Sequence, residues 1–172
     1  LCGVNRRLIG PSAAIIKRLN ALIDAGCVVA IATGRGKSVR EALRKHITSS
    51  ARRARIIVGY HNGAEIGSLA DTSCPPAELP LAEDLVGIAQ ALRASAALSQ
   101  HVAFEAKGKQ IAIELRPNGD ARSLFEQAVR VVRAHNTRGR ISVVTSSHSV
   151  DILADGVSKL SVVDRLVEDL RL

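Results

Sequence analysis

A hydroxyl, two glycines and two cations stand side by side in Thr33, Gly34, Arg35, Gly36 and Lys37. Together they are the chemistry of an anion site. Thr33 can donate its O–H, Arg35 and Lys37 bring positive charge, and glycine lets the backbone come close to a ligand. The elements on either side must hold them in place. Cys27 to Ala32 is an unbroken apolar run with β-branched Val28, Val29 and Ile31, which reads as a strand covered on both faces. Beyond the turn, Val39, Ala42, Leu43, His46 and Ile47 recur at helical spacing and predict a helix over 36–47. Strand, glycine turn and helix make half of a βαβ unit. In such sheets ligands sit at the carboxyl ends of the strands, where the next helix offers N–H groups and a positive dipole end. The reading is a phosphate site at the tip of this strand.

The totals bound what surrounds it. At 172 residues, 47% hydrophobic and 23% charged, the chain has the composition of a soluble globular protein of one domain or two small ones. Tyr60, Phe104 and Phe125 are its only aromatics, too few and too scattered for a single-strand nucleic-acid platform. Lys plus Arg number 24 against 16 Asp plus Glu, a net charge of +8. Residues 1–68 carry 12 basic and 3 acidic residues, so the excess is confined there. Much of it, in Arg6, Arg7, Arg52, Arg53 and Arg55, falls in loop-like stretches, as a solvated basic surface or as an attractor of anionic substrates. Cys2, Cys27 and Cys74 are far apart and show no metal-ligand spacing, which predicts reduced thiols in a cytoplasmic protein, Cys27 being a small core residue. No apolar run approaches a membrane span and no signal peptide is visible.

Along the chain, Ser12 is placed to cap a helix whose stripe is Ile15, Ile16, Leu19, Leu22 and Ile23, stopping at Gly26. Ser49 to Arg55 reads as a basic connection. Ile56–Val58 is a short strand leading to a second glycine turn, Gly59 to Ala64, where Asn62-Gly63 taken alone is a hairpin signal. Ala70 to Pro80, with Pro75, Pro76 and Pro80, is the linker candidate. Then come a helix over Leu81–Leu92, a hairpin of Val102–Ala106 and Ile111–Leu115 about Lys107-Gly108-Lys109, and a helix through Leu124 and Val132. Strand pieces at 141–145 and 150–153 complete an α+β module. A turn at 155–159 opens a last helix with Leu160, Val163, Val167 and Leu170 as its apolar stripe. His46 is read as packing on its apolar stripe and Asp151 as structural. His61, His101, His135 and His148 show no pairing with Cys or carboxylates that predicts a metal site.

Three places in order, Val-Ala-Ile-Ala-Thr-Gly-Arg at 29–35, Asn-Gly-Ala at 62–64 and Gly-Val-Ser-Lys at 156–159, with an α+β insertion between the last two, carry a resemblance. The chain resembles the haloacid-dehalogenase-like hydrolases, in the Cof-type, sugar-phosphatase branch that carries a large (C2) cap. The resemblance implies an α/β fold, a partial Rossmann-like three-layer core from residues 1–75 and 154–172 with the cap at 76–153. It implies Mg²⁺-dependent hydrolysis of a small phosphate monoester, a sugar phosphate, through a phosphoaspartyl intermediate. By position, Thr33 matches the hydroxyl that holds the transferring phosphoryl group and Lys159 the lysine that neutralises its charge, both reasonable for a transition state of spread negative charge. Gly34, Arg35, Asn62 and Gly63 fall on the substrate side.

Two departures matter. Nothing in Leu1–Gly10 replaces the family's Asp-x-Asp-Gly-Thr, and no acidic motif follows the last helix. The nucleophile, the acid/base aspartate and the side-chain ligands of Mg²⁺ are therefore expected outside residues 1–172, in a chain cut at both ends and inactive by itself. Leu160 stands where the family has Gly, which predicts a tighter helix start. Gly36-Lys37-Ser38 ends like a nucleotide P-loop, but Ile31 occupies the place of its first glycine. The alternative from another class is a non-catalytic basic module binding an anionic ligand or nucleic acid, which a steep salt dependence of binding distinguishes.

Overall fold

The computed structural model describes residues 10–95, 102–115, 120–135, 140–145 and 149–170. Cys2, Arg6, Arg7, His101 and His148 lie outside them. In chain order the elements are α1 (Ala13–Asp24), β1 (Val29–Ala32), α2 (Lys37–His46), α3 (Ser50–Ala54), β2 (Ile56–Tyr60), β3 (Glu65–Ser68), α4 (Glu83–Ala94), β4 (Val102–Lys107), β5 (Gln110–Leu115), α5 (Ala121–His135), β6 (Ser142–Thr145), β7 (Ser149–Leu153) and α6 (Ser161–Leu170). They fall into two compact units, Leu1–Ala77 with Ser158–Leu172, and Glu78–Val157.

In the first unit a sheet of order β1-β2-β3 has β1 parallel and β3 antiparallel to β2. Helix α1 opens on Ser12, whose side chain accepts the Ile15 N–H, and closes where Gly26 at φ +92° lets Cys27 N–H reach the Leu22 carbonyl. Ile16, Leu19 and Ile23 of α1 pack with Leu43 and Ile47 from α2 and its cap, and with Ile31, Ile56, Val58 and Tyr60 from the strands. Ile56, Val58 and Tyr60 alternate with Ile57 and Gly59, so Gly59 faces the opposite side of the sheet. There α6 arrives: a Cβ on Gly59 would collide with the Val162 side chain. The unit is thus layered α/β/α about β2.

Several expectations change here. The run 27–32 is not covered on both faces: in β1 only Ile31 is buried, and Cys27 and Val28 are exposed. Among the described residues β1 pairs with β2 alone, and an edge strand has one side without a neighbour. Cys27 is accordingly no core residue, and His46, at the end of α2, is exposed rather than packed. The stripe Leu160, Val163, Val167 and Leu170 is exposed too, Leu160 to 68%, because α6 meets the sheet through Val162 instead. The basic connection contains α3, and its arginines are structural. Arg53 donates to the Ile47 and Arg44 carbonyls at the end of α2, Arg55 to Gly26 beyond α1, and Arg52 makes a two-point contact with Asp24 at 2.8 Å. Cations placed on the last carbonyls of a helix satisfy groups that have no partner within it.

The second unit is an antiparallel sheet of order β4-β5-β7-β6 with α4 and α5. Ile111 and Ile113 of β5 sit opposite Ile152 and Val150 of β7, and all four are buried with Leu85, Ile88 and Leu92 of α4 and Leu124, Ala128 and Val132 of α5. Asp151 alternates away from that face, half-buried. The β4–β5 turn ties both ends of the unit: Gly108 O accepts from Ala82 N at 2.8 Å, and Lys109 O from Ala154 N at 3.0 Å. No helix among the described residues is long and apolar enough to cross a membrane.

Candidate functional site

The carboxyl ends of β1 and β2 are laced together by backbone bonds. Thr33 N–H donates to the Gly59 carbonyl at 2.9 Å, continuing the parallel ladder, and Asn62 N–H returns to the Thr33 carbonyl at 2.8 Å. His61 N–H donates to the Arg35 carbonyl at 3.2 Å. The loop after β1 is therefore fastened along its length to the turn after β2. Within the loop, Thr33 Oγ1 accepts the Arg35 N–H at 3.1 Å, a side-chain turn that a threonine at a strand end readily makes. Accepting that bond uses a lone pair and leaves the hydroxyl hydrogen to donate elsewhere.

Asn62-Gly63 is indeed in a hairpin: β2 and β3 pair from Ile57↔Ser68 to Tyr60↔Glu65, and His61, Asn62 and Gly63 form the connection at φ +46°, +60° and +91°. Asn and His tolerate that left-handed region better than most residues, and Gly adopts it freely. Asn62 is buried. Gly63 is also required by space. A Cβ there would strike the Ser158 carbonyl oxygen and lie 3.7 Å from Lys159 Cα. The third sequence motif is thus seated backbone to backbone on the second. Ser158 Oγ accepts the Leu160 N–H at 3.1 Å in the turn that opens α6. Lys159 is exposed there, and Leu160 points to solvent, so the residue that replaces glycine demands no tighter start.

The structure brings Thr33, Gly34 and Arg35 to Asn62 and Gly63, and Gly63 to Lys159. It turns Lys37 outward, 3.7 Å from Glu41 on the exposed face of α2, while Arg35 Nη2 donates to Ser38 Oγ at 3.2 Å. One pair was not foreseen. His61 Nδ1 lies 2.6 Å from Glu65 Oε2, with both side chains only 14% exposed. Beneath the turn the Tyr60 side chain is wholly buried, and burial pushes its phenol up to about 12. Among the described residues no three His, Cys, Asp or Glu side chains gather to hold a metal ion, so they offer no ligand set for Mg²⁺.

No family model matches the sequence, and no curated protein matches it either. Solved structures do. The sucrose-phosphatase of Synechocystis sp. PCC6803, solved with sucrose and phosphate, matches at a TM-score of 0.63 and 18% identity, over 94% of this chain and 66% of its own. A haloacid dehalogenase-like hydrolase from Bacteroides thetaiotaomicron matches at 0.67 and 13% identity, over 100% of this chain and 74% of its own. A sugar phosphatase of haloacid dehalogenase subclass IIB matches at 0.62 and 14% identity, over 95% and 70%. At such identities the likeness speaks for architecture, and with the α/β/α unit, its two strand-end turns and the α+β unit inserted between residues 77 and 158, it shows that this chain has the fold of the haloacid dehalogenase-like hydrolases.

Proposed function

We propose that these residues carry the phosphoryl-holding side of a phosphatase acting on a small phosphorylated metabolite, a sugar phosphate. The observation that carries the reading is the meeting of three sequence motifs at one end of the sheet, through Asn62 N–H on the Thr33 carbonyl and Gly63 on the Ser158–Lys159 backbone. Sugar phosphatases among proteins of the same fold support the substrate class.

In this reading Thr33 donates its hydroxyl hydrogen to a phosphoryl oxygen while the Arg35 N–H holds the hydroxyl in place. The Lys159 ammonium neutralises charge that builds on the phosphoryl oxygens as it is transferred. Such fixed donors are worth most where they need not reorganise during the reaction. Gly34 and Gly63 keep the backbone close, and Arg35 and Asn62 fall on the substrate side, Asn62 from its buried place in the turn. Unit Glu78–Val157 serves as the cap that selects it. A phosphoaspartyl route would also need an aspartate nucleophile and Mg²⁺, which would supply the attack and charge neutralisation; the described residues gather no ligand cluster for the ion, and those named here bind and neutralise the phosphoryl group.

The test is release of inorganic phosphate from a panel of sugar phosphates by the complete protein, with and without Mg²⁺. Lys159→Ala should lower kcat by about 10²- to 10³-fold, the usual effect of removing one transition-state charge partner. Full turnover in that variant removes Lys159 from the mechanism.

A further inference from the structure

Resting on that reading, the geometry points to His61 as a positioning residue that sets the Thr33 hydroxyl through the Arg35–Gly36 peptide. Its backbone N–H holds the Arg35 carbonyl at 3.2 Å. Its ring lies against Gly36, where Nε2 occupies the room a Cβ would take and Cε1 is 2.7 Å from that point. An added Cβ at Gly36 would meet the imidazole, so the ring and the Arg35–Gly36 backbone lie in direct contact. The ring is oriented from behind by Glu65 at the start of β3, 2.6 Å from Nδ1. A carboxylate only accepts, so Nδ1 carries the hydrogen and Nε2 is the nitrogen turned to Gly36.

Glu65 fixes the ring, the ring and its own N–H fix the Arg35–Gly36 peptide, and the Arg35 N–H of that segment fixes Thr33 Oγ1. Both side chains are largely withdrawn from water, so little competes with the bond between them. His61 touches no reacting group in this scheme. It acts by holding another residue, where small misplacement is costly.

The experiment uses the complete protein, p-nitrophenyl phosphate as substrate and inorganic phosphate as competing ligand. His61→Asn keeps a residue at home at φ +46° but is too short to reach Gly36. It should lower kcat about tenfold or more with a smaller change in KM, because the contact it disturbs matters most in the transition state. Glu65→Ala should behave alike, and Glu65→Gln, which still accepts from Nδ1, should restore most of the rate. Independently of turnover, the backbone amide resonances of Arg35 and Gly36 should move in His61→Asn and Glu65→Ala and stay in Glu65→Gln. Native-like kcat in His61→Asn or unmoved Arg35 and Gly36 amides each overturn the assignment. A native protein that neither hydrolyses p-nitrophenyl phosphate nor binds phosphate rejects the phosphatase reading instead, and the amide shifts still decide whether His61 fixes the loop.

Discussion

Replacing Gly63 by alanine tests the convergence of the motifs directly, because two separable penalties meet at that position. The first is conformational: φ is +91°, and an L-residue in the left-handed region costs about 1–2 kcal/mol. The second is steric. The new Cβ would meet the Ser158 carbonyl oxygen and come within 3.1 Å of its carbon, and both are backbone atoms that cannot swing aside. Forcing a packed backbone apart costs about 1–3 kcal/mol more. The sum is about 2–5 kcal/mol, or a Tm lowered by roughly 5–15 °C in a chain of this size. Gly26→Ala is the control, since φ is +92° there and nothing lies within 4 Å of the added methyl, so it bears the first penalty alone. Urea unfolding of both variants, with m checked for constancy, yields the difference. If Gly63→Ala is no worse than Gly26→Ala within about 0.5 kcal/mol, the Ser158–Lys159 segment is not seated on the turn, and the placing of Lys159 falls with it.

Other consequences are as definite. The Tyr60 hydroxyl is buried and has no partner among the described residues, so Tyr60→Phe should be neutral or stabilise by about 1 kcal/mol in urea unfolding. The same variant has a pH signature: with the folded phenol near 12 and the unfolded one near 10, the unfolded state loses its proton first, so this contribution to stability fades as pH rises through that window. Tyr60→Phe should decline less steeply than the native protein there, and parallel slopes would contradict the burial of the phenol. Leu43 of α2, fully buried in the cluster with α1 and the strands, should cost about 2–5 kcal/mol on truncation to alanine, read as a lower urea midpoint at unchanged m.

What the sequence made legible was periodic or punctuated. Helix α1 is bracketed by Ser12 and Gly26, and both do there what their chemistry predicts. The β4–β5 hairpin shows because Ile111 and Ile113 alternate with residues that face outward. Strand β3 does not show, since Glu65-Ile66-Gly67-Ser68 is short, carries one apolar residue and takes its partners wholly from β2. Apolar spacing found the stripe of α6 but could not say that Val162, beside it, would be the residue against Gly59. Nor could it say that β1 would have one neighbour among the described residues. The arginines of 52–55 looked like a solvated run because the carbonyls they close, at Gly26, Arg44 and Ile47, are distant or belong to a preceding helix end. His61–Glu65 was within reach: an Asn-Gly hairpin that pairs Tyr60 with Glu65 puts positions 61 and 65 side by side. Their spacing of four reads as a pair only in a helix unless the hairpin is drawn first.

The knot that the β4–β5 turn makes with Ala82 and Ala154 has a kinetic meaning. Gly63 and Lys159 are far apart in sequence, and bringing them together before the insertion folds would mean closing one long, loose loop. Once Gly108 and Lys109 have gathered both ends of the inserted unit, the chain between the two site halves is shortened roughly fourfold, which relieves about 1.2 kcal/mol of closure entropy. The strands and helices of Glu78–Val157 are mostly local partners, so nothing obliges them to wait for the rest. The inserted unit therefore acts as a clasp during folding, easing the approach of Lys159 to Gly63.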